Sequence, residues 1–213
     1  MTATATTTHR VPYFSQWESS ALVPGFVSGS VAAADDPLWR SSGAGTAAEY
    51  AFWAPRMCGM ACLRMALGHF GRPVPASVPL VREALAAGAY VREGDQVQGL
   101  IYAPFATWVA SRWGLFAEAR PRLSVDEVDA EISRGRLVLI SVYKTIRTLD
   151  PRPAGRGGHL VLAVGSGPDH ITIHNPSGFP DHSQRFHRVP KADLGRFFAG
   201  RGVVLGAAPQ DRP

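Results

Sequence analysis

The spacing of apolar residues changes along the chain near Gly135. Before that point apolar positions recur at helical spacing, which predicts a helix that begins near Cys58 and further helices over 78–87, 98–113 and 125–134. After it, short apolar runs are separated by Gly, Pro and Asp, which predicts strands over 137–143, 159–164, 170–174, 184–189 and 202–205. Helices followed by strands indicate the α+β class, with N-terminal helices packed on a C-terminal antiparallel β-sheet.

The connecting segments are predicted from turn-forming residues and weak patterns. Gly and Pro at 165–169 indicate a hairpin between two strands, and 149–158 is a Pro- and Gly-rich loop. Residues 18–45 show no period and are expected to form a long ordered loop with a helical turn near 36–39. Both loops are expected to line a cleft.

Shorter elements are predicted as a helix over 47–53, a turn at 93–95, a strand over 115–119 and an extended edge segment over 11–17.

Length and composition indicate a single domain. The chain has 213 residues, of which 46% are hydrophobic, enough to build one substantial core. Residues 1–10 are a low-complexity Thr/Ala segment and are expected to be a disordered N-terminal tail. The domain is predicted over 11–207, and 208–213 is expected to be a C-terminal tail.

Charge, hydropathy and cysteine content indicate which partners and which cellular setting to expect. The net charge is +5, but the basic residues are mostly arginines spread along the chain and accompany no nucleic-acid-binding motif, so no nucleic acid partner is expected. No apolar run is long enough to cross a bilayer, so no membrane association is expected. Two cysteines four positions apart on one helix, with no signal-peptide pattern at the start, indicate a reduced, cytoplasmic setting.

Cys58 is the candidate nucleophile. Pro55 disfavours helix in the residue before it, so the helix is expected to begin near Cys58. A helix N-terminus presents unpaired N–H groups and partial positive charge, which favour a thiolate, and Arg56 can add to this effect. Gly59 lets a substrate carbonyl approach the Cys58 N–H as an oxyanion hole requires. The alternative is a buried structural cysteine, an interpretation that fits Cys62 better.

His159 and Asn175 are the candidate partners of this cysteine. His159 begins a strongly apolar strand after two glycines, and Asn175 ends the next strand. Neighbouring hairpin strands bring these positions close together, so the amide can hold the imidazole in the tautomer that faces a cysteine. The alternative for His159 is a hydrogen-bonded histidine of the core.

A zinc site is the competing hypothesis for the remaining histidines. His170, His174, His182 and His187 lie close in sequence, and the first two share a strand face. No acidic or cysteine ligand is spaced to complete a tetrahedral set, so neither a metal nor another cofactor is expected.

The order of these residues resembles the papain-like cysteine peptidases, in particular the C39-like peptidase family. The resemblance is carried by four motifs: Val11-Pro12-Tyr13-Phe14-Ser15-Gln16, Met57-Cys58-Gly59-Met60-Ala61-Cys62-Leu63, Gly158-His159-Leu160-Val161-Leu162-Ala163-Val164-Gly165 and Ile173-His174-Asn175-Pro176-Ser177. It implies a papain-like cysteine peptidase fold and peptide-bond cleavage through a thioester.

The resemblance also implies residue roles. Cys58 would be the nucleophile, His159 the general base and acid, and Asn175 the orienting residue. Gln16, which from the sequence alone could equally be an ordinary surface residue, would donate a hydrogen bond to the oxyanion. Asn175 stands where exporter-type C39 domains usually carry Asp, and the chain shows no membrane or ATPase segment, so an exporter is not expected.

Three functions follow as hypotheses. The first is a cysteine peptidase acting on a peptide or protein substrate. The second is an acyl transferase, amidase or cyclase that uses the same residues but passes the acyl group to an amine, because both share the acyl-enzyme. The third is a peptide-binding module without chemistry, which would place no demand on this combination of residues.

Overall fold

The computed structural model describes residues 6–208 and contains helices and antiparallel strands, which confirms the α+β class. The α-helices are α1 Val23–Ser28, α2 Ala47–Trp53, α3 Cys58–His69, α4 Ser77–Ala86, α5 Tyr102–Trp113, α6 Val125–Ser133 and α7 Lys191–Phe197. The strands are β1 Thr7–Thr8, β2 Tyr90–Glu93, β3 Gln96–Gly99, β4 Phe116–Arg120, β5 Leu137–Val142, β6 His159–Ser166, β7 His170–His174, β8 His187–Pro190 and β9 Phe198–Gly206. Within residues 6–208, no helix has the length and apolarity that crossing a bilayer requires.

The main sheet has the order β4-β9-β5-β6-β7-β8, and β1 adds to one end of β6. Each of these pairs is antiparallel. The last strand in the chain, β9, is therefore inserted between β4 and β5. Strands β2 and β3 form a separate hairpin. The predicted hairpin at 165–169 is confirmed, since it joins β6 to β7.

The sheet is buried on both faces. Leu160, Leu162 and Val164 of β6 belong to a core shared with α3, α4 and α5, whereas Val161 and Ala163 belong to a core shared with α6 and α7. Successive strand residues point to opposite faces, so a continuous apolar run such as β6 needs a helical layer on each side. The N-terminal helices cover one face as predicted, and α6 and α7 cover the other.

The helix boundaries follow local sequence signals. The Ser124 side chain accepts a hydrogen bond from the Glu127 N–H while the Glu127 carboxylate accepts one from the Ser124 N–H, so the predicted capping box starts α6. Gly114 ends α5 in a left-handed conformation. Helix α3 begins at Cys58 itself, as predicted.

Several predicted elements differ from the structure. The region of the predicted turn at 93–95 is a complete hairpin, β2–β3, and α7 was not predicted because its seven residues contain Gly195 and only a short apolar pattern. Residues 11–17 are not a strand. Instead Thr7 and Thr8, within the predicted disordered tail 1–10, pair with Ser166 and Gly165, because the end of β6 offers them a free edge. Residues 1–5 of that tail and 209–213 of the predicted tail 208–213 lie outside the described residues.

The long segment 18–45 is organised around a buried carboxylate. It contains α1 and three short 3-10 turns rather than the single helical turn predicted. Asp36 is fully buried. Its carboxylate accepts hydrogen bonds from Ser19 N at 3.1 Å, Leu38 N at 2.9 Å and the hydroxyls of Ser19 and Tyr50. These local polar contacts order a segment whose hydrophobic pattern has no period.

We expect Asp36→Ala to destabilise the fold by about 3 kcal/mol or more, because the variant leaves several buried donors without an acceptor. Tyr50→Phe, which removes one hydroxyl from the same network, should cost about 1 kcal/mol. Urea unfolding measures both values. Equal stability of the Asp36→Ala variant and the wild type would contradict this role.

Candidate active site

The first turn of α3 lies directly against the beginning of β6. The backbone N–H of Leu160 donates a hydrogen bond to the Cys58 thiol, and the Cys62 thiol lies 3.7 Å from the Leu160 carbonyl oxygen. Cys62 is fully buried, whereas Cys58 is partly exposed. One strand residue therefore contacts both thiols, and only Cys58 is accessible.

His159 and Asn175 form a direct hydrogen bond. The separation between His159 Nε2 and Asn175 Oδ1 is 2.9 Å, and both side chains are buried. The strand register brings the two residues close, because Leu162 pairs with His174 at the end of the ladder, and His159 and Asn175 lie just beyond this pair on their two segments. Nε2 donates its proton to the amide oxygen in this arrangement, which leaves Nδ1 as the basic nitrogen.

Ser177 and Arg147 extend this pair, and neither was predicted from the sequence. The Ser177 hydroxyl lies 3.0 Å from His159 Nε2, and its backbone N–H donates to Asn175 Oδ1 at 3.0 Å. Arg147 donates to the same hydroxyl at 2.9 Å. Position 177 lies three residues beyond His174 and His159 lies three residues before Leu162, so extending the strand pairing places the two opposite each other, a signal that could have identified Ser177. Nothing in the sequence marks Arg147.

Cys58 and His159 line the same cavity, which has a volume of about 290 Å³. The remaining lining comes from segments that are distant in sequence: Arg56, Tyr90, Gly99, Leu100, Tyr102, Ser141, Gly158, Leu160 and Arg201. Within residues 6–208, no hydrogen bond joins the Cys58 thiol to the imidazole. The prediction that both loops line the cleft is wrong for 18–45, which contributes no lining residue among those described, and 149–158 contributes only Gly158. The β2–β3 hairpin and β9 line the cavity instead.

The electrostatic environment keeps the cysteine and histidine neutral. Burial raises the pKa of the Cys58 thiol, and the hydrogen bonds from Leu160 N and from the N–H groups at the helix start lower it by less. Burial lowers the pKa of His159 to about 4, an effect to which the Arg147 charge adds and which the Asn175 hydrogen bond opposes. The shift of the Cys58 pKa is therefore opposite to the sequence-based expectation of a thiolate, since loss of solvation outweighs the helix N-terminus.

Gln16 is buried beside the segment that leads into α3. Its Nε2 donates to the Ala54 carbonyl at 3.1 Å, its backbone N–H donates to the Pro176 carbonyl at 3.0 Å, and its Oε1 has no partner among the described residues. Gln16 is not among the cavity-lining residues. The structure thus places it between the turn before Cys58 and the turn after Asn175, next to the cavity wall formed by Arg56 and Cys58, so that its amide must turn to reach a substrate in the cavity.

Two of the histidines in the zinc hypothesis, His174 and His170, have protein partners. His174 Nε2 lies 3.1 Å from the Val11 carbonyl oxygen, and its Nδ1 accepts a hydrogen bond from Phe186 N. His170 Nδ1 lies 2.7 Å from Asp169 Oδ1. Among residues 6–208, no three His, Cys, Asp or Glu side chains are grouped so as to hold a metal ion.

Comparison of the sequence with known proteins finds no match. No protein-family model matches the chain, and no curated protein matches it. Among solved structures, the fold is similar to a Bacillus anthracis protein described as a "putative C39-like peptidase", with a TM-score of 0.49 and 16% identity, over 70% of this chain and 88% of that chain. A similarity of this extent transfers no residue role.

We expect Arg147→Gln to raise the pKa of His159, because removing a nearby cation makes the imidazolium less unfavourable. The pKa should remain below the ordinary value of 6.5, since burial is the larger cause of the shift. Titration of the His159 ring by NMR measures the change. Arg147→Lys keeps the charge and serves as the control, and an unchanged titration in Arg147→Gln would contradict the assignment.

Proposed function

We propose that the protein is a cysteine peptidase of the C39-like, papain-like type that hydrolyses peptide bonds with Cys58, His159 and Asn175. The observation that carries the proposal is the His159–Asn175 hydrogen bond beside a cavity that Cys58 also lines. A histidine with one nitrogen fixed by an amide and the other free is equipped to take and return a proton. The similarity to the papain-like peptidases in residue order is consistent with this chemistry.

The first half of the reaction forms a thioester. Because Cys58 rests as a thiol, His159 Nδ1 removes its proton as the sulfur attacks the carbonyl carbon of the scissile peptide bond. The carbonyl electron pair moves to oxygen and forms a tetrahedral oxyanion. When this intermediate collapses, the carbon–nitrogen bond breaks, and His159 transfers its proton to the departing amine. The step requires the imidazole and the sulfur to come within hydrogen-bond distance.

The second half releases the acid. His159 Nδ1 removes a proton from water, whose oxygen attacks the thioester carbon, and the sulfur departs and recovers the proton from the imidazolium. Asn175 keeps Nε2–H engaged during both halves, so the same ring nitrogen serves as base and as acid. Arg147 disfavours the imidazolium, which speeds return of its proton.

The Cys58 backbone N–H is the first oxyanion donor. The first N–H groups of a helix have no partner within the helix. That of Cys58 donates to its own thiol at rest and can instead bind negative charge as it develops on the substrate oxygen. The Gln16 amide is the second proposed donor. One N–H of Gln16 Nε2 donates to the Ala54 carbonyl, and the second N–H can donate to the oxyanion once the substrate is bound.

We expect Cys58→Ala to abolish hydrolysis of a labelled peptide library, whereas Cys62→Ala should retain it, because only the accessible thiol attacks. Mass spectrometry of the wild type under rapid acid quench should show an acyl adduct on Cys58, and labelled water should enter the new carboxylate. Full activity of the Cys58→Ala variant would refute the proposal.

We expect Gln16→Ala to lower kcat by about 10²-fold, the usual effect of losing one oxyanion donor, with KM changed far less. The matched control is Ser15→Ala, since Ser15 is also buried and donates to the Pro176 carbonyl at 2.9 Å. If both variants lose the same activity, Gln16 acts only by packing.

A further inference from the structure

We propose that Arg56 and Arg201 bind a carboxylate of the substrate inside the cavity beside Cys58, so that the protein selects peptides that present a carboxylate there. This inference rests on the proposed peptidase function and names its substrate class. Both guanidinium groups belong to residues that line the cavity with Cys58 and His159.

A break in the sheet brings Arg201 to the site. Ile140 of β5 pairs with Gly202 of β9, and Val142 pairs with Phe198, so the single residue Ser141 faces residues 199–201. The extra residues leave the ladder as a bulge, a feature that redirects a side chain next to a site. A Cβ on Gly157 would lie 3.5 Å from Arg201 Nη2, which places the guanidinium beside the turn that leads to His159.

Arg56 reaches the cavity from the turn that precedes α3. It ends the 3-10 turn Ala54–Arg56 before α3 and donates to the Phe52 carbonyl. Its guanidinium also lies 4.4 Å from the centroid of the Phe52 ring, and Arg92 of the hairpin lies 4.1 Å from the same centroid. The aromatic ring therefore holds Arg56 in place without neutralising its charge.

Neither arginine has an acidic partner in the described part of the chain. Other arginines are paired, such as Arg82 with Glu49 at 2.6 Å and Arg136 with Glu131 at 2.7 Å. By contrast, no ion pair within residues 6–208 involves Arg56 or Arg201, and none of the described cavity-lining residues is Asp or Glu. Two uncompensated cations in a concave, partly apolar site favour an anionic ligand.

A carboxylate is the anion that peptide substrates supply. It comes from an Asp or Glu side chain or from the C-terminus of the peptide. Guanidinium groups bind carboxylates through paired hydrogen bonds, which fix orientation as well as affinity. Binding at this place would hold the scissile carbonyl near Cys58, so the selectivity should appear mainly in kcat/KM.

The experiment uses four labelled peptide mixtures that are matched in length. They carry either Glu or Gln at one randomised position, and each is prepared with a free C-terminus and with a C-terminal amide. Binding is measured on the full-length Cys58→Ser variant by fluorescence anisotropy, and turnover is measured on the wild type. Preference for Glu over Gln identifies a side-chain carboxylate, and preference for free acid over amide identifies the terminus.

Substitution tests the two arginines. Arg201→Gln should reduce the preference for the carboxylate mixtures about tenfold, and Arg56→Gln should act similarly, as expected for loss of a charge-assisted hydrogen bond. Arg201→Glu should reverse the preference toward a matched Lys mixture. Arg188→Gln removes the same charge from β8, on the far side of β6 and β7 from β9, and should leave the preference unchanged.

The outcomes separate this inference from the proposed function. Turnover without preference among the four mixtures would overturn the carboxylate site and leave the peptidase intact. Preferential binding that depends on Arg201, without turnover by the wild type, would support the site and overturn the hydrolytic function. A preference lost equally in Arg188→Gln would show a general charge effect and overturn the assignment to Arg56 and Arg201.

Discussion

The close approach of α3 to β6 is the constraint on which the candidate site depends. A Cβ at Gly59 would lie 3.2 Å from Leu160 Cδ1, 3.3 Å from Leu100 Cδ2 and 3.3 Å from Tyr90 Oη. A side chain at this position would therefore press the first turn of the helix away from the strand and the hairpin. With glycine there, the Leu160 N–H reaches the Cys58 thiol, and the residue before Leu160 is the histidine.

The same packing determines the charge state of the site. Enclosing Cys58 and His159 removes water from both, and loss of solvation disfavours the thiolate and the imidazolium alike. Behind the histidine, Asn175, Ser177 and Arg147 donate and accept hydrogen bonds among themselves and with the imidazole, although Asn175 Nδ2 is buried without a partner among the described residues. Arg147 adds a buried positive charge to this cluster, so the imidazole is a base that seldom holds its proton at rest.

The cavity is a product of the chain topology. Its walls come from the turn before α3, the β2–β3 hairpin, β5, β6 and β9, which are separated along the sequence but adjacent in space. Insertion of β9 beside β5 brings Arg201 within reach of the site, and the bulge opposite Ser141 directs it. In the proposed function, substrate selection and bond cleavage would therefore belong to different elements around one opening.

The sequence by itself determined the α+β class, the start of α3 at Cys58 and the pairing of His159 with Asn175. These follow from local hydrophobic period, from Pro55 and from the short distance between two hairpin strands, all of which act over few residues. Only the tertiary structure decided the positions of Arg147, Ser177 and Arg201 around the site, the enclosure of Gln16 and the raised pKa of Cys58. Each of these depends on contacts between segments far apart in the chain and on the solvent that packing removes, and neither quantity is encoded in a local pattern.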